Sequence, residues 1–157
     1  PVLYFEHKKM YRSIEGDVPN SLYNVEIGKL KVVKKGIDLT IITYGMGVHW
    51  AQDFVAKSIY SIEIIDLRTL IPLDLENIAK SIKKTNRVLI LHEDNLTGGI
   101  GAEISAIISE KYFHYLDAPI MRLGSIDTPI PFSSKIENEN YLPVSLISKK
   151  VDKLMSY

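Results

Sequence analysis

The chain has 157 residues, 46% of them hydrophobic, and nineteen basic side chains balance nineteen acidic ones. That length supports one ordinary domain with a sizeable core, and the hydrophobic share excludes a disordered polymer. Zero net charge argues against a nucleic-acid binder that relies on a basic face, and the lack of cysteine excludes disulfides, cysteine-zinc sites and thiol catalysis.

The chain opens on Pro1-Val2-Leu3-Tyr4-Phe5, with no initiator Met. Val2 to Phe5 reads as a buried strand more than a chain start, so the sequence is expected to be cut from a longer polypeptide. Charge follows at Glu6, His7, Lys8 and Lys9, then Tyr11 and Arg12. Residues 13–29 hold the turn formers Gly16, Asp17, Pro19, Asn20, Ser21 and Asn24 and predict a connector. Beyond it the pattern alternates. Leu30 to Val33 is a short strand candidate and Asp38 to Tyr44 a strong one, closed by Gly45-Met46-Gly47. His49 to Ile59 predicts a helix with Trp50, Phe54 and Val55 on one face. Ile62 to Leu67 is a strand, and Asp74 is placed to cap a helix running to about Lys83. Val88 to Leu91 is a core strand, Gly101 to Tyr112 a helix, and Ile120 to Leu123 a further strand. A stretch with Pro129 and Pro131 precedes a last helix over Ser145 to Met155. Strand and helix in repeated alternation predict an α/β fold: a three-layer αβα sandwich with a mostly parallel sheet of about five strands. No apolar run approaches the ~20 residues of a membrane span, so no membrane partner is expected.

Chemistry concentrates where strands end. His92-Glu93-Asp94 follows an apolar strand and could hold an acid/base pair. The structural alternative, polar groups fixing a loop or a subunit contact, is preferred. Gly98-Gly99-Ile100-Gly101 could offer backbone N–H groups to an anion, or could be a tight turn where side chains would clash. Neither it nor Tyr44-Gly45-Met46-Gly47 completes a dinucleotide or phosphate-loop motif, and the tight-turn reading is favoured for both. Arg68, between Asp66 and Asp74, could clamp a carboxylate or form an internal salt bridge. The four histidines form no metal-binding spacing, and no catalytic serine elbow is present.

Taken together, several segments resemble one family. Val2-Leu3-Tyr4-Phe5-Glu6-His7-Lys8 with Tyr11-Arg12 resembles the end of the pyrimidine-binding domain in beta subunits of thiamine-dependent 2-oxoacid dehydrogenases. The run from Ile65 to Asp74 is similar to a signature of their carboxyl-terminal domain. His92-Glu93 with Thr97-Gly98-Gly99, Gly101-Ala102-Glu103-Ile104, Asp117-Ala118-Pro119-Ile120, Arg122 and Asp127-Thr128-Pro129-Ile130-Pro131 follow in the same order. The branched-chain (2-oxoisovalerate) type is most similar, with pyruvate and acetoin dehydrogenases close.

The resemblance implies a division of the chain. Residues 1–12 would end the upstream pyrimidine-binding domain, 13–29 would link, and 30–157 would form a transketolase-type carboxyl-terminal domain. It implies oxidative decarboxylation of a 2-oxoacid on thiamine diphosphate, with acyl transfer to lipoyl. Thiamine diphosphate and Mg²⁺ would bind outside these residues, leaving this part inactive alone. Its partners would be the alpha part, a second beta subunit and the lipoyl acyltransferase core. Its place would be the cytoplasm, or the mitochondrial matrix in a eukaryote. Tyr11, Arg12, Arg68, His92 and Glu93 would lie at an interface or on the approach to the active site. Two other readings stay open: another thiamine enzyme of the transketolase type, and a nonenzymatic αβα ligand-binding module.

Overall fold

The computed structural model describes residues 1–157, apart from the side chain of Asn140. Five strands make one sheet: β1 (Lys31–Lys34), β2 (Leu39–Thr43), β3 (Ile62–Asp66), β4 (Val88–Asn95) and β5 (Met121–Ser125). Their order across the sheet is β1-β3-β2-β4-β5. The last four run parallel, while β1 lies antiparallel along β3. Helices α1 (Met46–Val55), α2 (Leu75–Thr85) and α3 (Ile100–Tyr112) connect the parallel strands, and a terminal helix spans Ile147–Met155.

The strands carry continuous apolar runs because both of their faces are covered. On one face Ile41, Ile64, Leu89 and Leu91 pack against Ala51 and Val55 of α1 and Val151 and Leu154 of the terminal helix. On the other, Ile42, Ile65 and Ile90 pack against Ile78 and Ile82 of α2 and Ile104 and Ile108 of α3. The expected αβα sandwich with five mostly parallel strands is the observed architecture.

Several elements differ from expectation. Val2 to Phe5 is not a strand: these residues form no regular element and are 74–86% exposed. No neighbouring strand is there to complete a ladder, and an apolar run alone cannot supply one. Instead a single 3₁₀ turn forms over Lys8–Arg12. Helix α1 begins three residues earlier than His49, because Gly47 lets its first turn press onto β2. A Cβ there would stand 2.2 Å from Thr43 Oγ1. It also ends before Ile59, where the Tyr60 N–H donates to Ser58 Oγ and turns the chain. At the carboxyl terminus Pro143–Leu146 is a 3₁₀ turn, so the last α-helix starts only at Ile147. Finally, β4 does not stop at Leu91 but continues through His92, Glu93 and Asp94 to Asn95.

Candidate functional site

From β2 the chain first moves outward to β3, then returns past β2 to β4. The boundary between β2 and β4 is therefore the point where the winding reverses, the usual place for a site in an open α/β sheet. The Tyr44–Gly47 turn and the His92–Asn95 end of β4 meet that boundary.

The end of β4 is a bulge. Leu91 pairs with Leu123 and Asn95 with Ser125, so His92, Glu93 and Asp94 oppose Gly124 alone. The extra residues turn the His92 side chain fully inward, to 0% exposure. Its Nδ1 lies 3.0 Å from the Asp94 carbonyl oxygen. A carbonyl only accepts, so Nδ1 carries the proton and Nε2 is a bare acceptor. That Nε2 is buried without a partner.

Three glycines cradle the ring. A Cβ on Gly101 would stand 2.5 Å from Nε2, one on Gly99 2.8 Å from Cε1, and one on Gly124 2.7 Å from Cε1. Burial holds the imidazole below its ordinary pKa, against the opposing pull of the Asp94 carbonyl and carboxylate. The Gly98–Gly101 turn is thus closed by an imidazole and does not form an open anion cradle.

Glu93, the next residue, points outward. Its Oε2 accepts from His7 Nε2 at 2.8 Å, and its own carbonyl accepts from Ser125 Oγ at 2.6 Å. Across the boundary, the Tyr44 hydroxyl is pushed up to about 12, by burial first and then by the Asp94 and Glu93 carboxylates. Tyr141 is raised for the same reasons and donates to Asn95 Oδ1 at 2.9 Å. Both phenols are neutral donors at physiological pH.

The other sequence candidates lie elsewhere. Tyr11 is exposed and hydrogen-bonds Glu6; Arg12 is exposed at the end of the 3₁₀ turn. Arg68 has φ 56°, its N–H donates to Asp66 Oδ1 at 3.1 Å, and its side chain is exposed. It makes no ion pair among the described residues, so the internal salt bridge weighed for it does not form. The structure joins Glu93 to His7 and leaves Tyr11, Arg12 and Arg68 apart from that pair. The sequence marks Tyr44 only as part of a glycine turn, and gives His7 and Gly124 no site role. His7 lies within the Val2–Lys8 run, whereas Gly124 carries no signal until β4 and β5 are paired.

These residues do not fit a metal-bound diphosphate. Among the described residues no three His, Asp or Glu side chains could share a metal ion, and the glycine turn is filled by His92. No helix of the described residues is long and apolar enough to cross a membrane.

Comparison with known proteins gives the lineage of this arrangement. The family model for the transketolase carboxyl-terminal domain matches residues 28–145. The chain belongs to the transketolase C-terminal domain family. It is 45% identical over 141 residues to the 2-oxoisovalerate dehydrogenase subunit beta of Bacillus subtilis, covering 87% of this chain and 43% of that protein. It is 43% identical over 140 residues to the pyruvate dehydrogenase E1 component subunit beta of Gracilaria tenuistipitata var. liui, with the same two coverages. The mitochondrial 2-oxoisovalerate dehydrogenase subunit beta of Dictyostelium discoideum matches the whole chain at 43% identity, again over 43% of its own length. The chain therefore spans less than half the length of these relatives. Among solved structures, a split-gene transketolase in an inactive beta4 tetramer superposes with a TM-score of 0.73 over 91% of this chain and 46% of its own, at 23% identity. That likeness shows the shared fold.

Proposed function

We propose that this chain is the carboxyl-terminal domain of the beta part of a thiamine-dependent 2-oxoacid dehydrogenase, acting on branched-chain 2-oxoacids of the 2-oxoisovalerate type. The observation that carries the reading is the 45% identity to the Bacillus subtilis 2-oxoisovalerate dehydrogenase beta subunit, together with the family match. The parent enzyme decarboxylates the 2-oxoacid and passes the acyl group to lipoyl. The cofactor supplies the carbanion chemistry, and the protein supplies positioning and electrostatics. In this reading thiamine diphosphate and Mg²⁺ are held by the alpha part and the upstream beta domain.

In this reading residues 1–12 end the pyrimidine-binding domain and 13–29 link it to the domain proper. The domain serves assembly with the alpha part, a second beta subunit and the acyltransferase core. Exposed Ile130 and Phe132, at 71% and 107% exposure, support an assembly role, because large apolar side chains left in water often mark contact surfaces. Tyr11, Arg12, Arg68 and Glu93 lie on the interdomain or active-site approach, with His92 shaping the strand that presents Glu93. The cytoplasm, or the mitochondrial matrix of a eukaryote, is the place for such an enzyme. Pyruvate is the second substrate reading, favoured by the 43% identity to the Gracilaria pyruvate dehydrogenase subunit.

The test is an assay of the full-length protein reconstituted with its alpha part, thiamine diphosphate and Mg²⁺. Higher kcat/KM for 2-oxoisovalerate than for pyruvate is expected. A preference for pyruvate would move the substrate assignment, and turnover of neither would overturn the dehydrogenase reading.

A further inference from the structure

The segment before the domain is held in an uneven way. At its carboxyl end, near the end of β3, the Gly28 N–H donates to Thr69 Oγ1 at 3.0 Å and the Leu30 N–H to Asp74 Oδ2 at 3.2 Å. Asp74 is itself buried and caps α2, so this anchor is part of the domain's own framework. At the amino end, the anchor is the His7–Glu93 contact at the end of β4, between side chains 27% and 35% exposed. Between the two anchors, residues 8–27 bury no side chain. Among the described residues, their hydrogen bonds are local ones within 6–14. The two anchors stand on either side of β2 in the sheet order.

We propose that the His7–Glu93 contact is a latch. Closed, it fixes the segment before the domain onto the carboxyl edge of the sheet. Open, it lets the chain ahead of Gly28 swing about the Gly28–Leu30 anchor while the domain stays folded. Two features support this division. Glu93 is presented outward by a bulge whose inward residue, His92, is locked by packing, so the backbone that carries the carboxylate is fixed. A part-exposed contact of this kind contributes little, so it opens long before the core does. The inference deepens the proposed function and rests on it in one respect: with residues 1–12 ending a pyrimidine-binding domain, the latch sets that domain's orientation on this one.

Hydrogen exchange in the full-length protein tests the latch. The reporter amides are Met10 and Ile14, whose N–H groups donate to the carbonyls of His7 and Met10. In Glu93→Ala and in His7→Ala these amides are expected to exchange roughly two- to fivefold faster, the range of a part-exposed pair. Amides of Val88 to Leu91 should keep their protection. The double variant should exchange no faster than either single one, because one contact is lost in all three. Unchanged reporter exchange in both single variants would overturn the latch. So would effects that multiply in the double variant, or a parallel loss of protection in β4. No readout involves turnover, so a failed latch leaves the dehydrogenase reading standing, and a failed assay leaves the latch standing.

Discussion

His92 occupies a place where a catalytic histidine could work, and its surroundings prevent that. Its one free nitrogen faces Gly101 instead of solvent, and its protonated nitrogen is committed to the Asp94 carbonyl. The ring acts as a filler whose shape is matched by three glycines, two from the Gly98–Gly101 turn and one from β5. Gly101→Ala is the sharpest probe of that fit, because the new methyl would sit 2.5 Å from Nε2 and 2.6 Å from Cδ2, well inside van der Waals contact. Overpacking of this kind costs about 1–3 kcal/mol. Urea unfolding of Gly101→Ala should show that loss. Adding His92→Ala should recover part of it, since the two changes share one space. Additive losses would show that the ring and the glycine are not in contact.

At the scale of elements, Asp74 ties three pieces together. Its carboxylate accepts from the Asn77 N–H and side-chain amide of α2 and from the Leu30 N–H ahead of β1. Burial alone would raise this carboxyl, and the bonds from Asn77 and Leu30 outweigh it, so it titrates below its ordinary value. Asp74→Ala should cost about 1–2 kcal/mol, the upper range for a lost cap, read as a lower urea midpoint with unchanged slope. That cap was legible in the sequence because an aspartate before an amphipathic run has a local meaning. So were the runs Ile41-Ile42 and Val88 to Leu91, whose burial on two faces leaves no polar alternation. The start of α1 was not, since Gly45 and Gly47 read locally as a turn; only the closeness of Thr43 explains Gly47, and a positive φ explains Gly45. Nor was the bulge in β4, which is a property of two strands and exists only once Gly124 is opposite. The site was legible as a polar strand end. That Glu93 faces out to His7 while His92 faces in required the fold.

For the whole molecule, three groups set the pH limits of stability. His92 is held below its ordinary pKa of about 6.5, so as pH falls through that value the unfolded chain takes up a proton the native chain refuses. Native stability should therefore decline from about pH 7 downward. Asp74 acts lower: its contribution persists above about pH 4 and disappears as pH falls through its depressed native value. Tyr44 acts at the other end. With its native value near 12, the unfolded phenol ionises first, and stability should fall as pH rises from about 10 toward 12. Urea midpoints at pH 7.5 and 5.5 check the first of these. His92→Asn should be less stable at pH 7.5 yet change less between the two. An equal decline in both proteins would assign the acid sensitivity elsewhere. The bulge has one more consequence, for how the sheet finds its alignment. Three residues of β4 against one of β5 can be matched in only one way. A slip of one position would carry the Glu93 carboxylate into the glycine cradle and move the His92 ring out of it. The irregularity thus works as an indexing notch, which admits one alignment of these two strands and rejects its neighbours.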